Sequence, residues 1–202
     1  NNIQHFINDE HNMDIVLDIE TLSTRPDAVI LTIGAVKFSP YGDDIDESNG
    51  FYTRMDVNQQ IAMGRHVSED TLQWWGKQAA EVREEALCET GRESVEDSLA
   101  GLNRFLVGSQ NIWVQGPVFD IATLENLYRQ ILSPPPWHFW NIRDSRTLFG
   151  IHGDPRDKNH QHAHNAMVDC IIQGKAIQRV YRDNNIVPFK YNSSNLKYAN
   201  NL

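Results

Sequence analysis

Three short groups of residues carry side chains that could bind a metal ion and move a proton. Two carboxylates stand two residues apart at the end of an apolar run, a third follows a Gly-Pro turn, and a histidine precedes a fourth by five positions: Asp18, Glu20, Asp120, His164 and Asp169. Two carboxylates on one face of a strand repel each other unless water or a cation separates them. Carboxylate oxygens suit Mg²⁺ and Mn²⁺, and histidine accepts a proton near neutral pH. The groups together therefore predict a divalent-cation site with a base beside it.

Each group taken alone also has an ordinary explanation. Asp18 and Glu20 could form a solvated acidic strand end, and Asp120 could be the N-cap of the helix that follows it. His164 could be an ordinary surface histidine. The pattern is far more specific as a whole, in the order Asp-x-Glu, Asp, His-x4-Asp.

The predicted elements bring these groups to the ends of strands and helices. Apolar and β-branched segments predict three strands in an antiparallel meander, over residues 13–18, 28–38 and 50–57. Ser68 before two acids marks a helix start, with Leu72 and Trp75 on one face of the helix. The remaining pattern predicts helix 94–107, strand 111–115, helix 120–131, a short helix 143–150 and helix 165–182. Strands followed by helix, strand and helix indicate an α/β fold with a mixed central sheet flanked by helices.

Composition places the chain among globular proteins and excludes several classes. With 202 residues, 40% of them hydrophobic, the chain has the length of one domain. We predict a flexible lead-in over residues 1–12 and a single domain over 13–202. No apolar run is long enough to span a membrane, and the polar first residues are unlike a secretory signal. Cys88 and Cys170 are expected to be buried thiols, which indicates a reducing, cytoplasmic compartment.

The net charge of −9 opposes a nucleic-acid partner at first sight, but the charge is unevenly distributed. Residues 69–97 hold nine acids and three bases, whereas residues 137–202 hold nine bases and five acids. Four acids of the chain, Asp169 of the second segment among them, belong to the predicted cation site, where bound ions would offset their charge. The acidic balance therefore permits a nucleic-acid substrate and favours contact with only a few nucleotides at a chain end.

The order of these residues resembles the DEDDh (Asp-Glu-Asp-Asp-His) superfamily of 3′→5′ exonucleases, the DnaQ-like enzymes, which have a ribonuclease-H-like fold. Asp18 and Glu20 match the first motif, Asp120 the second, and His164 with Asp169 the third, over residues 13–182. Segments 71–75 and 137–147 resemble the RNase AS-like branch, which includes prophage proteins similar to exodeoxyribonuclease VIII. Many relatives carry Asn near the second motif, where this chain has the segment 115–117, Gln-Gly-Pro.

The resemblance implies a metal-dependent 3′→5′ exonuclease that hydrolyses single-stranded RNA or DNA to nucleoside 5′-monophosphates, with two Mg²⁺ or Mn²⁺ ions. Asp18 would bridge both ions, Glu20 and Asp169 would complete the first site, and Asp120 would support the second. His164 would be the general base for the attacking water. The resemblance also implies a homodimer.

Further residues could contact the strand. By analogy with the family, Thr21 and Leu22 would line the terminal-nucleotide pocket, while Arg143 and Arg146 could reach phosphates or pair with Asp144. Several aromatic side chains could stack on bases or belong to the core, with Trp75 and Trp140 expected in the core: Trp74, Trp75, Trp137, Phe139 and Trp140. Two other functions stay open, a non-catalytic nucleic-acid-binding module and a phosphodiesterase limited to very short oligonucleotides or nucleotide conjugates.

Overall fold

The computed structural model describes residues 13–156 and 164–188. The predicted lead-in over residues 1–12 and the end of the predicted domain, residues 189–202, lie outside the described residues. Five strands form one mixed sheet in the order β3-β2-β1-β4-β5. Their bounds are β1 (Asp14–Thr21), β2 (Ile30–Phe38), β3 (Gly50–Arg54), β4 (Ile112–Val114) and β5 (Ile142–Asp144). Strands β1, β2 and β3 pair antiparallel, whereas β4 pairs parallel to both β1 and β5.

Seven α-helices flank this sheet in the described part of the chain. They are α1 (Val57–Ala62), α2 (Glu69–Gly76), α3 (Ala80–Leu87), α4 (Val95–Leu106), α5 (Asp120–Gln130), α6 (Ser145–His152) and α7 (Ala166–Asp183). Ser68, Ser94 and Asn165 are N-caps whose side chains accept hydrogen bonds from the first turn of α2, α4 and α7. Across residues 13–156 and 164–188, we find no helix with the length and apolar character that a membrane crossing requires.

The two faces of β1 bury different sets of residues because successive side chains of a strand alternate. Ile15, Leu17 and Ile19 join one core cluster with residues of α4 and α5. Val16 joins a second cluster with residues of β2, β4, α6 and α7. Asp18 and Glu20 have the parity of Val16, so they lie on the face of the sheet that α7 covers.

Strands β1 and β4 pair over a short distance only. The parallel register contains two residue pairs, Ile15 with Ile112 and Val16 with Trp113. Beyond them the Ile19 backbone N–H donates instead to the Asp120 carboxylate, at 3.4 Å. The C-terminal ends of the two strands therefore separate, which is where ligand sites form in open α/β sheets.

The structure confirms the mixed α/β sheet and corrects several local predictions. Residues 50–57 were predicted as one strand, but β3 ends at Arg54 and Val57 begins a helix. Residues 143–150 were predicted as helical from the start, but Arg143 belongs to strand β5, which pairs with β4. The prediction that Cys88 is buried is wrong because its side chain is partly exposed, whereas Cys170 is buried.

The predictions that particular apolar side chains are buried are confirmed for one residue and wrong for two. Trp75 is 1% exposed, which confirms its place in the core. Trp140 was expected there too, but it is 60% exposed because it lies in a short 3-10 turn, Phe139–Asn141, at the edge of the sheet. Leu72, predicted to share the inward face of α2 with Trp75, is 40% exposed.

Candidate active site

A cavity of about 850 Å³ opens where β1 and β4 separate. It brings together six of the ten sequence-predicted site residues: Asp18, Glu20, Asp120, His164, Asp169 and Arg146. Residues from the end of β1, the start of α5, the start of α6 and the start of α7 thus meet at one edge of the sheet. The helix and strand ends explain this convergence, because the C-terminal ends of parallel strands share an edge.

Burial and crowding make the carboxylates of β1 hard to ionise. Burial raises the pKa of Asp18 well above its ordinary value, and the nearby Asp120, Glu20 and Asp169 raise it further. Burial likewise raises the pKa of Glu20, with further contributions from Asp169 and Asp120. Burial and the neighbouring acids together therefore disfavour the charged forms of Asp18 and Glu20.

Asp120 holds its position through the sheet as well as through its helix. Its side chain is 4% exposed and accepts the hydrogen bond from the Ile19 N–H. Burial raises the pKa of Asp120 to about 7, although that hydrogen bond and the Arg146 guanidinium favour the charged form. The N-cap position of α5 is Phe119 rather than Asp120, so helix capping does not explain the acid.

His164 and Asp169 are joined across the start of α7. The His164 backbone N–H donates to Asp169 Oδ2 at 2.9 Å, and His164 has a φ of 70°, in the left-handed region. After this bend the chain enters α7. The cap residue of that helix is Asn165, whose Oδ1 accepts from two backbone N–H groups. Ligand atoms of Glu20, His164 and Asp169 all lie within 4.8 Å of one another.

The donor set of the cavity fits hard divalent cations. Four clustered carboxylates offer oxygen ligands. Burial, followed by repulsion from neighbouring acids, raises the pKa values of Asp18 and Glu20, and burial raises that of Asp120. Among the described lining residues, the basic side chains that offset them are Arg146 and Arg156. A cation among the carboxylates would relieve the repulsion that burial imposes.

A second cavity of about 420 Å³ adjoins the first. Ile19, Glu20 and Phe119 line both cavities and so form the partition between them. Two more predicted residues line the smaller cavity, Thr21 and Trp74. The Trp74 ring lies edge-on to the His164 ring, with centroids 4.7 Å apart, so the smaller cavity reaches His164.

Two predicted substrate residues lie elsewhere. The Leu22 side chain is buried with Val29, Leu31 and Trp75 and lines neither cavity. Arg143 Nη1 donates to the Trp140 and Ile142 carbonyl oxygens, at 2.7 and 3.0 Å, and its side chain lines a separate cavity beside Asp14. The Asp144 carboxylate caps α6, accepting from the Arg146 N–H at 3.1 Å.

Sequence reasoning missed Arg156, which also lines the larger cavity. Its guanidinium forms a two-pronged ion pair with Asp154, at 2.9 and 2.7 Å, and donates to Gln115 Oε1. It also lies 4.7 Å from the Phe149 ring centroid. The one sequence signal was the spacing Asp-x-Arg at 154–156, which is common in loops and points to no particular site.

Comparisons with known proteins agree with this architecture. A family model described as the 3′-5′ exoribonuclease Rv2179c-like domain matches residues 13–181. No curated protein matches the sequence. Among solved structures, the zinc-bound Escherichia coli exonuclease I–single-stranded DNA complex has a TM-score of 0.61 at 14% identity, over 86% of this chain and 41% of that one. The same enzyme with a dT13 oligonucleotide gives 0.60 at 15% identity, over 84% and 41%.

The chain thus spans about 41% of the length of the exonuclease I chain that it matches. At this level of identity the likeness concerns the fold, and it confirms the predicted ribonuclease-H-like class.

Proposed function

Because this chain belongs to the Rv2179c-like 3′-5′ exoribonuclease domain family, we propose that it removes nucleotides from the 3′ end of single-stranded nucleic acid. The products are nucleoside 5′-monophosphates. The observation that carries the proposal is the convergence of four carboxylates and His164 on one cavity, from β1, α5 and the start of α7. Surface acids would spread apart in water, whereas these are gathered and partly buried at the cost of raised pKa values.

In this proposal the carboxylates hold two divalent cations, Mg²⁺ or Mn²⁺. Asp18, Glu20 and Asp169 would hold one cation, and Asp18 and Asp120 would hold the other. The proximity of Glu20 to Asp169 supports the first assignment. The cations would supply charge stabilisation to the attacking and leaving oxygens of an in-line displacement at phosphorus.

His164 acts as the general base. An imidazole nitrogen accepts a proton from the attacking water, the water oxygen bonds to phosphorus, and the bond from phosphorus to the 3′ oxygen of the penultimate nucleotide breaks. That oxygen takes a proton from solvent water and becomes the new 3′ hydroxyl. The hydrogen bond from the His164 backbone to Asp169 supports this role, because it fixes the histidine relative to a proposed cation ligand.

The two cavities suggest how the strand lies. The smaller one, with Thr21 and Trp74, has the size and the aromatic wall to accept the terminal nucleoside. Arg146 in the larger one donates to phosphate oxygens. Leu22 and Arg143 are left out of this assignment because their side chains line neither cavity. A homodimer is proposed from the family resemblance alone.

A digestion time course tests the proposal. Single-stranded RNA and DNA of one sequence, labelled at the 5′ end, are incubated with Mg²⁺, Mn²⁺ or chelator, and RNA is the first choice because the family description names an exoribonuclease. We expect a ladder that shortens from the 3′ end and nucleoside 5′-monophosphates that appear only with cations. Asp169→Ala is the matched inactive variant and should keep its fold. Full activity in that variant would refute the site.

A further inference from the structure

Gln115 contacts both basic side chains of the larger cavity. Its backbone oxygen accepts from Arg146 Nη2 at 3.5 Å, and its side-chain Oε1 accepts from Arg156 Nη1. Gly116 follows with a φ of +99°, and a Cβ there would stand 3.4 Å from Arg146 Nη1, so the Arg146 guanidinium lies against this turn. The turn after β4 therefore contacts two guanidinium groups, which lie on one wall of the cavity.

Arg156 is held more firmly than a surface arginine. Asp154 accepts hydrogen bonds from Nε and Nη2 of Arg156, and Gln115 accepts one from Nη1. The Phe149 ring lies beside the guanidinium carbon. A guanidinium has five N–H groups, so these described contacts use three and leave one on each terminal nitrogen. A planar group that is fixed in this way and has two remaining donors suits two oxygens of one phosphate.

Charge differs between the two cavities. In the described lining of the smaller cavity there are two acids, Glu20 and Asp70, and no arginine or lysine. The larger cavity holds Arg146 and Arg156 as well as the clustered carboxylates. A 3′-terminal nucleoside ends in an uncharged hydroxyl, whereas every linkage on its 5′ side carries a negative charge. The strand therefore enters through the larger cavity, with its upstream phosphates toward the guanidinium wall.

We propose that Gln115, Asp154 and Phe149 hold Arg156 as a phosphate-binding residue which, beside Arg146, binds the internucleotide phosphate on the 5′ side of the cleaved one. This inference rests on the proposed exonuclease function and adds a subsite to it. Asp154 compensates the charge of Arg156, so the contribution of Arg156 comes from directed hydrogen bonds. Because of this subsite, the enzyme cleaves a substrate with a second linkage at a higher kcat/KM. The subsite therefore sets the shortest substrate that the enzyme cleaves well.

Substrates that differ by one charged linkage test the subsite. The parent protein is assayed with Mn²⁺ on a dinucleoside monophosphate, on the trinucleoside diphosphate of the same 3′ sequence, and on that trimer with a neutral methylphosphonate at the upstream linkage. The readout is the ratio of kcat/KM for the trimer to kcat/KM for the dimer. We expect Arg156→Gln to lower this ratio by roughly tenfold to a hundredfold, as for a charged hydrogen bond.

Two controls separate binding from structure. Arg179→Gln removes an exposed arginine that pairs with Asp183 on α7, and it should leave the ratio at the parent value. The methylphosphonate should lower the ratio by a larger factor in the parent than in Arg156→Gln, because the variant has already lost one of the two guanidinium contacts with that linkage. If Arg156→Gln does not fold, Gln115→Leu, which removes the Oε1 acceptor, should lower the ratio in the same direction.

Three outcomes overturn the inference. One is a parent protein that cleaves dimer and trimer equally well. Another is an Arg156→Gln variant that loses the same factor on both substrates, which is the behaviour of a purely structural arginine. A parent protein that degrades no strand of any length overturns the proposed function and the subsite together, whereas the first two outcomes leave the exonuclease function intact.

Discussion

Asp18 lies directly opposite Gly34 in the antiparallel register of β1 and β2. A Cβ at Gly34 would come within 2.5 Å of the Ala166 carbonyl carbon and 2.7 Å of the Met167 nitrogen. The missing side chain lets the first turn of α7 rest on the sheet beside Asp18. Asp169, one turn further along, reaches the same group of carboxylates for that reason.

Gly34→Ala should therefore damage both the fold and the site. The new methyl group meets backbone atoms that cannot move alone, so we expect a loss of about 1–3 kcal/mol in the free energy of unfolding. Because α7 carries Asp169, cation-dependent digestion should fall by more than the loss of folded protein explains. Thermal unfolding and the digestion assay measure the two effects. Gly76→Ala is the control, since nothing lies within 4 Å of its Cβ position.

His164→Ala tests the proposed general base. Loss of the proton acceptor should lower kcat by roughly 10²–10⁴-fold while the carboxylates still bind cations. Isothermal titration with Mn²⁺ should give an affinity close to the parent value. His152→Ala, which changes an exposed histidine on α6, should digest at the parent rate. A His164→Ala protein with parental turnover would show that another group takes the proton.

Stability should depend on pH in a definite direction when no cation is present. Burial raises the pKa values of Asp18, Glu20 and Asp120, the last to about 7, and neighbouring carboxylates raise those of Asp18 and Glu20 further. In the unfolded chain such groups ionise near pH 4, at about their ordinary values. Between about pH 4 and pH 7 the folded protein binds more protons than the unfolded chain, so the free energy of unfolding falls as pH rises.

We therefore expect the metal-free protein to have a lower Tm at pH 8 than at pH 5. Mn²⁺ should raise Tm more at pH 8, where the carboxylates are ionised and can bind it. Calorimetry in matched buffers measures both values. Asp120→Asn should flatten the pH dependence, and a variant whose Tm falls as steeply as that of the parent would contradict the assignment.

The adjacent Trp74 and Trp75 should respond differently to substitution. Trp75 is 1% exposed and its Nε1–H donates to the Thr21 oxygen at 2.9 Å, so Trp75→Ala should cost about 3–5 kcal/mol of stability. Trp74 is 38% exposed at the smaller cavity. Trp74→Ala should leave stability nearly unchanged but weaken binding by about 1–3 kcal/mol, the value of one base stacked on an aromatic ring. An unchanged KM in Trp74→Ala would remove it from the substrate site.

The sequence predicted the elements with a clear period and missed those that depend on pairing. The apolar run of β1, the capped start of α2 and the apolar positions of α4 and α7 are local signals, and the structure has these elements, although β1 continues beyond the predicted end at Asp18 to Thr21. Strand β5 has three residues and no alternation to detect, and it exists because it pairs with β4. The prediction that Trp140 is buried was wrong for a related reason, since an apolar side chain does not indicate whether its residue lies in the core or at an edge of the sheet.

The residues of the site also fall into those that the sequence could predict and those that it could not. The five motif residues could be found because their types and spacing are unusual together. Arg156 could not, because its position depends on contacts with Gln115 and Phe149, which are 41 and 7 residues away along the chain and come together only in the fold. Leu22 stands beside two proposed site residues in sequence, but the strand alternation ends there and its side chain turns into the core.

The two-residue pairing of β1 with β4 has a consequence for how the cavity is built. The opening lies beside the part of β1, from Asp18 onward, that β4 does not pair with, and residues of the loops after β4 and α6 complete its lining. Asp120 bridges that interruption by accepting the Ile19 N–H in place of a strand carbonyl. The Asp120 carboxylate thus links β1 to the start of α5, so a chain without it would lose a contact between these elements as well as a proposed cation ligand.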